Sequence, residues 1–192
     1  LRQLYSYLVN NFANKFSYNS IKKVTSIKSV NTIKKFISYL EETYFAKTIN
    51  KFDYSYKKQI INDKKFYVLD NGFIEVLSKK LTKDQGWLLE NLVFTELLKM
   101  NYKPNHNLFY YKTRNGKEVD FILREDLKVK TLIQVAYRVD ELGVKEREIK
   151  ALVEASGELK CDDLIILTWD YEDESAWQGK KIKFLPAWKW MV

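Results

Sequence analysis

Three runs in close succession decide how the second half of this chain reads: GWLLENLVFTELLKM (residues 86–100), YYKTRNGKEVDFIL (110–123) and TLIQVAYRVD (131–140). The first has Leu89, Val93, Leu97 and Met100 at helical spacing. The other two alternate as strands do. In the segment 118–122, Glu118 and Asp120 share one face while Val119 and Phe121 take the other. In the segment 132–136, the polar Gln134 lies among apolar neighbours on a strand that should be buried. Acidic and amide groups beside a core need partners, because an unpaired buried polar group is costly.

The elements expected around these runs are a helix over 87–100, then strands near 108–112, 118–124 and 129–137. A helix over 145–156, a strand over 163–168 and a last strand near 181–185 follow. Asn115-Gly116 signals a two-residue hairpin turn between the first two strands. Gly143 and Gly157 bracket the second helix, and the aromatic tail 186–192 is expected to pack on the domain. Antiparallel strands followed by a helix and a further strand give a mixed α/β domain over 86–192.

The first half reads differently. Residues 1–12 form a helix with Leu1, Leu4, Tyr5 and Leu8 on one face. Ser20 caps a short second helix, and Ser29 caps a third with Val30, Ile33, Ile37, Leu40 and Tyr44 at helical spacing. Two strand-like runs, 46–52 and 65–69, flank a polar tip. Three helices and a two-stranded wing predict a winged helix over 1–75. Asp70-Asn71-Gly72 supplies turn chemistry, and 74–85 reads as the connection between domains.

The ordered words resemble a known family. A helix Glu, a strand Asp and then Glu/Gln-x-Lys on the next strand are the pattern of the PD-(D/E)xK nuclease-like fold. With KFYVLDNGF (65–73), the Arg147-Glu148 pair before a helix and LIILT (164–168) added, nearly the whole chain resembles the C-terminal region of a prokaryotic AAA-type ATPase family. There a winged helix precedes a domain of unknown function with the nuclease-like fold. The resemblance implies an α/β (α+β) chain and an ATPase module upstream that would hold the ATP. No G-x-x-x-x-G-K-[ST] phosphate loop occurs in the chain, and its first residue is Leu1, as a piece of a longer polypeptide would begin.

It also implies a site. Glu90 would support a Mg²⁺ ion from the helix, Asp120 would be its central ligand, and Gln134 takes the place of the second acidic ligand. Ala136 falls where the lysine should be. Gln134 removes a charge from the metal site, and Ala136 cannot position a water. The expected reading is therefore a module that binds DNA or a protein partner and carries a degenerate nuclease-like site, with no cofactor of its own. One alternative is a divalent-metal DNA nuclease with its lysine supplied by Lys112, Lys117 or Lys145. Another is a winged-helix transcription regulator. Glu90 and Asp120 also admit a structural role, satisfied by backbone amides or by Arg147.

Composition narrows the partners. The 192 residues are 46% apolar, enough for folded cores, and no run approaches the roughly 20 apolar residues of a membrane span. There is one cysteine and one histidine, so neither an internal disulfide nor a structural zinc site is expected. A cytoplasmic protein is the plain inference. The net charge of +8 is uneven: residues 1–85 hold 16 basic and 7 acidic side chains, and the rest hold 17 and 18. Any pull on nucleic acid belongs to the first half.

Lys28, Lys34, Lys35, Lys47, Lys51, Lys57 and Lys58 are expected at phosphates, with Asn31 and Thr32 near base edges. Arg2 is the lone arginine of this half, which favours backbone-driven, salt-sensitive binding over guanine readout. The partners expected are thus the upstream ATPase module of the same polypeptide and DNA, with no membrane and with oligomers allowed.

Overall fold

The computed structural model describes residues 2–78, 85–139 and 143–192. The chain divides into two units, Leu1–Thr95 and Glu96–Val192, each holding its own sheet. Helices and a mixed set of strands together give an α+β fold.

The first unit runs α1 (Arg2–Asn10), β1 (Lys15–Phe16), α2 (Tyr18–Val24), α3 (Val30–Glu42), β2 (Ala46–Asn50), α4 (Tyr56–Ile61), β3 (Lys64–Val68) and α5 (Asn71–Leu77). Its sheet has the order β1-β3-β2, antiparallel throughout, with Thr48 opposite Phe66. Three helices ahead of a β2–β3 hairpin are the order of a winged helix. Leu4, Leu8, Ile21, Ile33, Ile37, Ile49 and Phe66 are sealed into its core.

Several expectations change here. The cap of α2 is Ser17, not Ser20; Ser20 sits at the third helical position and the two serines bond reciprocally, at 2.9 and 3.0 Å. The wing tip contains the short helix α4, and β1 adds a third strand that a two-residue run cannot announce. Asp70-Asn71-Gly72 is the start of α5: the Asp70 carboxylate accepts the Gly72 amide at 2.7 Å and caps the helix. The expected connection over 74–85 therefore begins as helix. Lys79, Lys80, Lys83 and Asp84 of that segment, like Leu1 and Asp140, lie outside the described residues.

Helix α6 (Gln85–Lys99) carries the chain from the first unit into the second. Leu89, Val93 and Leu97 are buried as their spacing predicts, while Met100 is exposed just past the helix end. The second unit continues with β4 (Leu108–Lys112), β5 (Glu118–Glu125), β6 (Lys128–Ala136), α7 (Val144–Leu159), β7 (Asp163–Thr168), β8 (Asp173–Trp177), β9 (Lys180–Pro186) and α8 (Ala187–Trp190).

The six-stranded sheet has the order β4-β5-β6-β7-β9-β8. β4, β5 and β6 form an antiparallel meander; β6, β7 and β9 run parallel; β8 closes the edge antiparallel to β9. The β4–β5 turn is a three-residue loop, Arg114-Asn115-Gly116, closed by the Thr113 amide on the Lys117 carbonyl at 2.8 Å. Gly116 takes the left-handed position at φ 87°. Gly157, expected to end the second helix, lies inside α7, which ends instead at Lys160 in the left-handed conformation. The tail forms the short helix α8 and leaves Trp188 61% exposed.

Candidate functional site

In the second unit the β5–β6 ladder, with one register shift between Leu123 and Arg124, pairs as far as Phe121 opposite Ile133. At Asp120 and Gln134 side chains take over from the backbone. Gln134 Oε1 accepts the Asp120 amide at 3.2 Å, and Asp120 Oδ2 accepts the Val135 amide at 3.0 Å. Both side chains are buried. Gln134 Nε2 then donates to Glu148 Oε2 at 2.7 Å. On its other oxygen Glu148 accepts Arg147 Nε at 2.8 Å, together with Arg147 Nη2.

The helix α7 delivers Glu148 for a reason visible in its pattern. Ala151, Leu152, Ala155 and Leu159 follow at three, four, seven and eleven positions and are all buried. That spacing puts Glu148 on the face turned to the sheet, where it is 4% exposed. Burial pushes the Glu148 carboxyl above the ordinary glutamate range. The Arg147 hydrogen bonds pull it back, the charge of Asp120 adds to the rise, and the Gln134 hydrogen bond opposes it. The site is therefore a buried chain of polar groups running from Asp120 through Gln134 and Glu148 to an arginine whose side chain is 72% exposed.

Asp120 and Gln134 thus meet, and Glu148 with Arg147 completes their surroundings. Arg147-Glu148 lies within α7 rather than before it, and the guanidinium binds Glu148. Glu90 belongs to the first unit. There it accepts Lys65 Nζ at 2.8 Å and the Tyr67 hydroxyl at 2.6 Å. Ala136 is buried at the end of β6. Of the lysines considered as substitutes, Lys117 pairs with Glu154 at 2.8 Å. Lys145 donates to the Tyr171 hydroxyl at 2.6 Å and to Asp173 at 3.0 Å. Lys112 is exposed. Among the described residues no group of three or more His, Cys, Asp or Glu is arranged to hold a metal ion.

In the first unit, Ser29 caps α3 and accepts the Thr32 amide at 3.4 Å. Asn31, Thr32, Lys34 and Lys35 are exposed over the first half of that helix, and Lys28 is exposed just before it. Lys34 lies 5.3 Å from the Tyr18 ring and Lys35 5.7 Å from the Tyr39 ring. Lys47 donates to the Glu41 carbonyl at 2.9 Å, Lys51 is half-buried, and Lys58 stands 3.8 Å from Asp53. Lys57 is exposed on α4. Sequence reading passes over Lys64, which is buried and donates to Asn50 Oδ1 at 2.9 Å and to the Ile60 carbonyl at 3.0 Å. Burial, and then the charge of Lys34, lower its pKa.

No helix among the described residues is long and apolar enough to cross a membrane. The chain is 37% identical to an uncharacterized protein of Methanocaldococcus jannaschii across its whole length, covering 44% of that protein. It is 25% identical to an uncharacterized protein of Haemophilus influenzae over 83% of its length, covering 37% of that relative. The chain thus spans less than half the length of these curated relatives. No solved structure matches. Residues 1–84 match the family model of a domain of unknown function, DUF8612. Residues 85–190, which hold the Asp120, Gln134 and Glu148 network, match that of the domain of unknown function DUF4143, and the chain belongs to this family.

Proposed function

We propose that this chain is the C-terminal region of an AAA-type ATPase polypeptide, a module that binds DNA or a protein partner and carries a nuclease-like domain without hydrolytic chemistry. Membership in the DUF4143 family and relatives more than twice as long support the setting. In that setting ATP is held by the upstream ATPase module, which is also the first partner, and this region needs no cofactor. The polypeptide would be cytoplasmic, with oligomers allowed. The winged-helix order of the first unit and its exposed Lys28, Lys34 and Lys35 support a weak, phosphate-directed contact with DNA.

The observation that carries the reading is the bonding of Gln134. It is neutral where the nuclease pattern needs a carboxylate, and both ends of its amide are engaged, by the Asp120 amide and by Glu148. Of the lysines considered as substitutes, Lys117 is held by Glu154, and Lys145 by Asp173 with Tyr171.

The test is incubation of the chain with linear and branched DNA in Mn²⁺, wild type beside Asp120→Ala, with binding followed across a salt series. The expected result is no cleavage by either protein and binding that weakens steeply with salt. Cleavage by wild type that Asp120→Ala abolishes would overturn the reading in favour of the nuclease. Salt-resistant selection of one sequence would favour a transcription regulator.

A further inference from the structure

The hairpin tip of the first unit is pinned at both ends and left apolar on the outside. Residues 51–63 join β2 to β3 and hold the six-residue helix α4. Gln59, buried on the inner face of that helix, donates to the Asp53 carbonyl at 2.6 Å, and the Ser55 amide donates to Asp53 Oδ1 at 2.8 Å. At the far end the buried Lys64 donates to the Ile60 carbonyl at 3.0 Å and to Asn50 Oδ1 at 2.9 Å. These bonds fix the helix on the hairpin.

On the outer face Tyr56 and Ile60 are four positions apart, as are Lys57 and Ile61, so each pair lies side by side. All four are exposed, Tyr56 at 73% and Ile61 at 70%. Lys58, three before Ile61, is exposed as well and stands 3.8 Å from Asp53. One exposed isoleucine needs no explanation; two beside a tyrosine, on a pinned tip, mark a contact surface.

Charge narrows the occupant. Residues 51–64 hold four lysines and two aspartates, and lysine is depleted at the centres of protein contacts. A polyanion suits such a tip better. Isoleucine bonds neither base edges nor phosphates. Its gain on duplex DNA is apolar contact, which the minor groove offers once a base step is partly unstacked; apolar wedges with cations beside them bind DNA in this way. We infer that Ile60 and Ile61 form a wedge that enters the minor groove, partly unstacks one base step and bends the duplex, with Lys57 and Lys58 on the flanking phosphates. The inference rests on the DNA reading of the first unit and gives the hairpin a task beyond phosphate contact.

The experiment uses duplexes of about 20 base pairs with donor and acceptor dyes at the two ends. One has a central TA step, which unstacks easily, and one a central A-tract, which is stiff. A third carries a central mismatch. Wild type should bind the TA duplex, raise energy transfer as a bend of about 20–90° would, and brighten a 2-aminopurine placed at the step. It should bind the mismatched duplex roughly tenfold tighter than the A-tract, because the mismatch is already partly unstacked. Ile60→Ser with Ile61→Ser should still bind, without bending and without that preference. Both positions are exposed, so the fold is kept, and Ile61→Leu should bend DNA as wild type does. Lys57→Gln should weaken binding to all three duplexes alike and lower the salt slope by about one, while the DNA that is bound stays bent.

Binding by wild type with neither bending nor a brighter 2-aminopurine would overturn the inference and leave the DNA reading standing; the apolar tip would then belong to a protein contact. Bending that the double isoleucine variant retains would overturn it too. Absence of any duplex binding would overturn the DNA reading itself, and the wedge with it, so the two failures are told apart.

Discussion

Lys65 donates to Glu90 across 2.8 Å with both side chains nearly sealed from water, 2% and 9% exposed. The same Glu90 oxygen receives the Tyr67 hydroxyl at 2.6 Å, and the Tyr67 ring stacks on Phe94 at 4.3 Å. Strand β3 and helix α6 are therefore joined by a charge pair inside an apolar shell. Breaking a buried charge pair from one side costs about 3–5 kcal/mol. Lys65→Met is expected to lower the urea midpoint of the first unit sharply, and Lys65→Arg, which keeps a positive charge for Glu90, to lower it less. Equal loss in the two variants would show that the charge at position 65 is not what holds the pair.

A second pairing depends on pH. Glu154 on α7 binds Lys117 at 2.8 Å and accepts the Asn115 amide at 3.4 Å, beside the β4–β5 loop. Hydrogen bonds from Lys117 and then from Thr113 pull its carboxyl down to about 2. A carboxyl whose folded value lies below its unfolded value contributes stability above the unfolded value and loses it as pH falls toward the folded one. This contribution is present at neutral pH and should fade between about pH 4.5 and 2. The stability difference between wild type and Glu154→Gln, followed by chemical unfolding, should shrink over that interval. A difference that stays constant would show that the carboxylate charge is idle.

The parts of the fold legible in the sequence are those with a long or repeated signal. β7 is an apolar run with both faces covered, and its bounds 163–168 follow from that run alone. Helix α3 has its cap and its stripe. β1 and α4 are two and six residues long and hold too few positions for any period to show. Asp70 reads as a plain turn because a carboxylate bonded two residues ahead makes the same local shape whether or not a helix follows. β8 alternates half-buried and exposed residues on a sheet edge, so DESAW offers no apolar face. At the site, Asp120 and Gln134 stand out as polar groups on buried strands. Glu148 does not, because its partners lie on β6 and in the preceding residue, although the apolar spacing of Ala151, Leu152 and Ala155 places it inward.

The loop that joins β4 to β5 tests backbone conformation alone. Gly116 has φ 87°, and a Cβ there would meet only the Lys112 side chain, at 3.7 Å. There is room for a methyl group, so any penalty comes from the left-handed conformation, roughly 1–2 kcal/mol. Gly116→Ala should destabilise the second unit by about that amount, and Gly116→Asn by less, since Asn tolerates this region better. Gly157 lies inside α7 with an ordinary helical φ, and a methyl group there would meet nothing within 4 Å. Alanine at that position should instead stabilise, by about 0.5–1 kcal/mol. Opposite signs at two glycines of one sheet-and-helix unit, read by the same denaturant titration, would confirm the turn and helix assignments together. Equal signs would refute one of them.

Glu148 carries the last prediction. Burial raises its carboxyl, and the charge of Asp120 adds to the rise. A folded value above the unfolded one means that the group's stabilisation is complete below the unfolded value and is lost as pH climbs through the folded value. Wild type should therefore lose stability relative to Glu148→Gln as pH is raised from about 4 toward neutrality. The glutamine keeps an acceptor for Gln134 but no longer draws the guanidinium as a charge, so a constant offset from the lost Arg147 bonds will sit beneath the pH-dependent part. The decisive quantity is the slope. If the two proteins' unfolding free energies run parallel across this range, Glu148 is ionised as easily in the fold as out of it, and the crowding of the two acids has no energetic consequence.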